Sequence, residues 1–201
     1  MDIYEAINGR RSIRKYQNTK VENETLLKLA NAAIMAPNGG NAQSWDFVFV
    51  TDSALIEKLG KILKDVHGEY FGKARKDSID GERLEKTVSI YDKMLSAGAF
   101  LIVCMNIRNQ QLNKPYEEWT TKWGVQSVAA AMENLMLAAC AEGLGTCWLG
   151  TPSWKSAEIK KLFNIPENAE ILAMTPIGYP DESPKARPRL PAEEVTHFNK
   201  W

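Results

Sequence analysis

The sequence predicts one mixed domain of helices and strands built around a buried apolar helix. Three observations carry this reading. Residues 46–50 (DFVFV), 99–106 (AFLIVCMN) and 171–177 (ILAMTPI) are short apolar runs of strand length. Between them, apolar residues recur at helical spacing, as in Leu55, Leu59, Ile62 and Val66. Residues 126–142 hold twelve apolar residues in seventeen, mostly Ala, Met and Leu. These are strong helix formers, and they fall on every side, which predicts a helix buried all round. Its small side chains invite a close partner, another helix or a second copy of itself.

The elements follow in order. Asp2 is placed to cap a short helix through Asn8, ended by Gly9. Arg10, Arg11, Arg14 and Lys15 then put four cations in six residues, with Ser12 among them. Forked guanidinium donors and a short hydroxyl suit a phosphate; a solvated charge run is the alternative. A second helix spans 26–35, with Leu26, Ala30 and Ala33 on one face, and Pro37 stops it. Residues 36–45 (APNGGNAQSW) either form a plain turn or bring backbone and the amides of Asn41 and Gln43 to a ligand's polar edge. Asp52 or Ser53 caps the helix that carries Leu55 to Val66, and His67 reads as its C-terminal cation or a surface residue. Residues 68–81 read as a mobile excursion, 82–95 as helix and 109–115 as a polar loop. Tyr116, Trp119 and Trp123 share a helix face that reads as core, with a pocket wall for a flat substrate as the alternative. Ser153 is expected to cap a helix over 154–163, and Pro176 to end the last strand or place it at an edge. Gly143-x-Gly145 closes a helix instead of opening one, which argues against a dinucleotide fingerprint.

The tail is different in character. Five prolines between 176 and 191 forbid an ordinary helix, and Lys185, Arg187 and Arg189 form a second basic cluster. Phe198 and Trp201 favour docking on a partner.

Composition excludes several classes. Twenty-five basic and twenty-five acidic residues give zero net charge, so nothing overall points to nucleic acid or an anionic membrane. The longest apolar runs are seven residues, too short to span a bilayer. The first residues carry an early acid and no apolar core, unlike a secretory leader, so a cytoplasmic location is expected. Cys104, Cys140 and Cys147 read as buried free thiols, and no metal site is expected for want of ligands.

Five segments together resemble the FMN-dependent nitroreductase family: residues 10–14 (RRSIR), 36–45, 142–150 (EGLGTCWLG), 177–180 (IGYP) and 187–191 (RPRLP), in matching order over nearly the full length. The resemblance implies an α+β fold, with an antiparallel-rich central sheet wrapped by helices, in an intertwined homodimer. It implies a single FMN-binding domain over 1–201, with 178–201 as an extension crossing onto the partner subunit. Arg10, Arg11 and Ser12 would face the FMN phosphate, completed by Arg187 and Arg189. Arg14 would approach the N1 edge of the flavin, where a cation favours reduction. Pro37, Asn38 and Gly39 would come from the other subunit, with Asn41 and Gln43 at the ring edge. Leu149 and Gly150 would lie along the ring, the Gly150 amide close to N5. The family usually has Ser where this chain has Asn38, and Pro where it has Ser44; Lys73 is a candidate for a further ring contact.

The activity implied is an oxidoreductase that takes hydride from NADH or NADPH. It passes electrons to nitroaromatic, quinone or similar small aromatic acceptors by a ping-pong mechanism. The flavin carries the chemistry, so no catalytic residue is assigned. A specialised flavin reaction on the same fold (dehalogenation, flavin fragmentation or dehydrogenation) and a non-catalytic FMN-binding protein are the alternatives.

Overall fold

The computed structural model describes residues 1–74, 81–107 and 115–201. Four strands form one sheet in the order β1-β2-β4-β3, with every neighbouring pair antiparallel. They are β1 (Trp45–Val50), β2 (Ala99–Asn106), β3 (Gly145–Thr146) and β4 (Ala169–Gly178). The α+β expectation, an antiparallel sheet wrapped by helices, holds.

Strand β2 explains the layering. Successive side chains of a strand point to opposite faces. Phe100, Ile102 and Cys104 enter one core, while Ala99, Leu101, Val103 and Met105 enter the other. The first core is closed by α3 (Ser53–Glu69), α4 (Gly81–Met94) and α6 (Ser156–Phe163), through residues such as Leu59, Leu63, Met94 and Ile159. The second is closed by α2 (Asn23–Ala33) and α5 (Glu117–Ala141), through Leu26, Leu29, Val128, Met132 and Leu135. A strand covered on both faces must be apolar at every position, which is why AFLIVCMN shows no alternation.

Several expectations are corrected. The aromatic segment near 116–123 and the apolar segment 126–142 are one helix of 25 residues, α5. Its buried positions, Gly124, Ser127, Val128, Ala131, Met132, Leu135, Met136 and Ala139, follow the three- and four-residue spacing of a single face. The single chain leaves the opposite side open, so the helix is not buried all round. Tyr116, Trp119 and Trp123 are exposed on it and are not core. At Gly124 any side chain would meet the Met105 sulfur, so the glycine lets α5 close onto β2.

Helix α3 does not give way to a loop at residue 68. It runs to Glu69 and continues as a π-helical turn, Tyr70–Ala74; the rest of the expected excursion lies outside the described residues, as does nearly all of the expected loop at 109–115. Ser153 does not cap a helix: Thr151–Lys155 is a 3-10 turn, and the Ser153 hydroxyl donates to the Gly150 carbonyl at 2.9 Å. Strand β4 runs two residues past Pro176 and lies between β2 and β3. The proline is tolerated because β3 pairs only with Ile177 and Gly178, and the Cys147 amide bonds the Thr175 hydroxyl instead of the strand.

Candidate active site

The site starts from a well-fixed turn. Helix α1 (Ile3–Gly9) opens with a capping box in which Asp2 accepts from the Glu5 amide and Glu5 from the Asp2 amide, each at 2.8 Å. The chain then runs extended past β3. The Ile13 amide donates to the Thr146 carbonyl at 2.9 Å, and Ser12 bridges Thr146 in parallel. Ile13 and Tyr16 are buried, and the Tyr16 hydroxyl donates to the Ile13 carbonyl at 2.6 Å. With Ile13 turned inward, alternation places Ser12 and Arg14 on the opposite side.

The tail completes the site. Residues 179–182 pair with 14–17: the Gln17 amide donates to the Tyr179 carbonyl and the Asp181 amide to the Lys15 carbonyl, both at 2.9 Å. The Glu182 carboxylate accepts from the Arg14 and Lys15 amides at 2.5 and 3.2 Å, and Asp181 pairs with Lys15 at 2.5 Å. Anchored there, the tail brings its own basic residues over the first cluster. Arg10, Arg11, Ser12 and Arg14 from one segment, with Lys185, Arg187 and Arg189 from the other, line a cavity of about 410 Å³. No acidic residue lines it. The guanidinium contacts are mostly to backbone carbonyls, as from Arg11 to Asn8 at 2.6 Å and Arg14 to Ser12 at 3.2 Å; Arg10 also lies 3.6 Å from Glu133. Six cations gathered without a lining carboxylate repel one another, and an anion with several acceptor oxygens relieves that. The phosphate of FMN fits this donor set.

The remaining expected residues lie elsewhere in the chain. Leu149 is buried and exchanges two hydrogen bonds with Met174, at 2.8 and 2.9 Å. Gly150 beside it is exposed, has open space where a side chain would stand, and among the described residues nothing accepts from its amide. Pro37, Asn38, Gly39, Asn41 and Gln43 form a separate loop, and none lines the arginine cavity. Asn38 staples this loop, accepting from the Gln43 amide at 2.9 Å. Gly40, Asn41 and Gln43 all have positive φ, an uncommon conformation for glutamine that concentrates at functional loops. The loop sits against α5 near Trp123. Lys73 is exposed and pairs with Glu69 at 2.8 Å, away from the cavity.

His67 departs from expectation. It is buried, not a surface cation, and lies among Tyr91, Tyr70 and Phe71. The Tyr91 hydroxyl meets its Nε2, and the Thr151 hydroxyl lies 3.3 Å from both ring nitrogens. Burial pushes the imidazole pKa down to about 4, partly offset by a hydrogen bond to the Leu63 carbonyl, so the ring is neutral. No sequence signal pointed to this group, because α3, α4 and the turn after β3 meet only in space. Burial likewise pushes the Cys147 thiol up despite Arg14 nearby, and Cys104 to about 11; both are inert thiols. Among the described residues no cluster of metal-ligating side chains occurs, and no helix is long and apolar enough to cross a membrane.

The fold and its basic cleft match a known class. Residues 7–179 match the nitroreductase family, and the chain belongs to that family. It is 32% identical to a provisionally named NADH dehydrogenase/NAD(P)H nitroreductase of Methanothermobacter thermautotrophicus, covering 100% of this chain and 88% of that protein. It is 27% identical to the iodotyrosine deiodinase of Thermotoga neapolitana, over 96% of this chain and 95% of the other. Among solved structures, a BluB-like flavoprotein of Clostridium difficile superposes with a TM-score of 0.79 at 27% identity, over the whole of both chains. The chain is thus an oxidoreductase of the nitroreductase family.

Proposed function

We propose that this protein is a homodimeric FMN enzyme that draws electrons from NADH or NADPH and delivers them to small electron-poor aromatics such as nitroaromatics and quinones. The observation that carries this reading is the acid-free cavity formed jointly by residues 10–14 and 185–189. When bound, the flavin supplies hydride transfer. The chain supplies the rest. Arg10, Arg11, Ser12, Arg187 and Arg189 hold the phosphate, and Arg14 carries its charge toward the ring. Leu149 offers an apolar wall, and Gly150 offers a free amide. Pro37, Asn38, Gly39, Asn41 and Gln43 serve the ring of the partner subunit's cofactor, which accounts for their separation from the arginines in one chain. Beyond the arginine cavity, the last residues of the 178–201 extension lie over the partner subunit. Free Cys104, Cys140 and Cys147 suit a reducing compartment, the cytoplasm.

The test is the double variant Arg10→Ala/Arg187→Ala. Each charge-assisted hydrogen bond is worth about 1.5–3 kcal/mol, so FMN affinity should fall by roughly a hundredfold or more. Flavin fluorescence titration reads this, and unchanged affinity removes the phosphate assignment. Parallel initial-rate lines are expected for the two substrates; intersecting lines would reject the ping-pong scheme.

A second reading has one supporting observation, the likeness to an iodotyrosine deiodinase along almost its whole length. On that reading the acceptor is a halogenated aromatic. Release of iodide from iodotyrosine, with no turnover of nitroaromatics or quinones, would favour it.

A further inference from the structure

The His67–Tyr91–Thr151 group lies outside the phosphate cavity, yet it ends one residue from Gly150. Burying the polar groups of His67 and Tyr91 in an aromatic cluster is unfavourable unless each is satisfied, and Thr151 is half-buried beside them. They meet one another at the imidazole ring. Nε2 of the neutral imidazole faces Tyr91, so Nδ1 is the nitrogen left to donate to the Leu63 carbonyl of the same helix. Nε2 accepts from the Tyr91 hydroxyl, and the Thr151 hydroxyl lies 3.3 Å from both ring nitrogens of the same imidazole. The imidazole of His67 on α3 is thus the hub at which Tyr91 of α4 and Thr151 meet. No charged side chain belongs to this group.

Thr151 is thereby tied to the helical layer, while Leu149 is tied to the sheet by its two bonds with Met174. Gly150 lies between these anchors. Its carbonyl accepts from the Ser153 hydroxyl at 2.9 Å, while its exposed amide is free among the described residues.

We propose that His67 and Tyr91 are positioning residues that clamp Thr151 and so hold the Gly150 amide in one orientation toward the cofactor. The clamp is a property of the chain itself, and its use rests on the FMN reading above. A preset donor needs no reorganisation during reaction, whereas a loose one loses part of its effect. Thr151 is the residue that must keep its hydroxyl; His67 and Tyr91 act through it.

The experiment uses Thr151→Val, Tyr91→Phe and Thr151→Ser. The Leu149 amide, bonded to Met174, reports local opening of this segment by hydrogen exchange in the flavin-free protein. Thr151→Val and Tyr91→Phe should each speed that exchange about tenfold, the effect of losing one buried hydrogen bond, and Thr151→Ser should not. In the FMN-loaded protein the same two variants should shift the visible flavin spectrum and slow reduction by NAD(P)H about tenfold, with phosphate-driven FMN affinity kept. Unchanged Leu149 exchange in both variants overturns the clamp, as does a Thr151→Ser variant that behaves like Thr151→Val. Faster exchange with an unmoved flavin spectrum overturns the positioning role. If the wild-type protein binds no FMN, the proposed function fails, and the exchange result still decides whether the clamp exists.

Discussion

At the scale of single residues, His67 makes the clearest solution prediction. Its pKa is near 6.5 in the unfolded chain and about 4 when folded. As pH falls, the unfolded chain therefore takes up the proton first. The stability contributed by the neutral ring is complete above about pH 6.5 and is lost as pH drops toward about 4. The loss is on the order of 3 kcal/mol. Urea unfolding followed across this range should show the slope in the wild type and a flatter profile in His67→Gln. An equal slope in both would assign the acid sensitivity to carboxylates instead. Sequence alone misread this residue. A lone histidine near a helix end looks like a surface cation, but the helix runs on past it to place Phe71 against the ring, and Tyr91 of α4 covers it from another segment.

At the scale of elements, the contact between residues 12–14 and β3 controls the site. A side chain at Gly145 would stand 2.7–2.9 Å from Ile13 Cγ1, Cβ and Cγ2. Ile13 is buried between Ser12 and Arg14, so it cannot yield without moving both. Gly145→Ala should destabilise the fold by about 1–3 kcal/mol, as overpacking does, and weaken FMN binding at the same time. Gly9→Ala is the matched control: the nearest atom to its new methyl is 3.9 Å away, so thermal melting and flavin titration should both stay near wild type. A Gly145→Ala protein as stable and as flavin-loaded as the control would break the link between this contact and the phosphate cluster. Element by element, much of this was readable. The strands, the caps at Asp2 and Asp52 and the stop at Gly143 (φ +75°) follow from local chemistry. The fusion of two expected helices into α5 did not, because the polar and aromatic residues at 116–125 weaken the apolar pattern without breaking the backbone.

At the scale of the molecule, a single chain leaves much apolar surface open. Trp119, Trp123 and Val125 are exposed on α5, as are Leu190, Phe198 and Trp201 in the tail. Exposed apolar surface of this kind marks an interaction site, and a second copy covers it in the proposed dimer. Sedimentation should give one species at twice the chain mass of 22.6 kDa. Removing residues 192–201, with Phe198 and Trp201, should weaken association and lower FMN retention together, because in the proposed dimer each cofactor would have residues from both subunits around it. A truncated protein that stays dimeric and flavin-loaded would move the dimer contact to α5 alone.

By itself the sequence determined three of the four strands, most of the helices though not their joining into α5, the two basic segments and, through five ordered motifs, the family. Each of these rests on local chemistry: periodicity, capping residues, and donor types that suit a phosphate. Tertiary structure decided what those pieces meet. It brought residues 10–14 and 185–189 around one cavity, although more than 170 positions separate Arg10 from Arg187 in the chain. It kept residues 36–45 apart from that cavity, and it buried His67 against Tyr91 and Thr151. Charge repulsion within the first group and desolvation in the last are properties of neighbours in space, and the order of residues along the chain does not contain them.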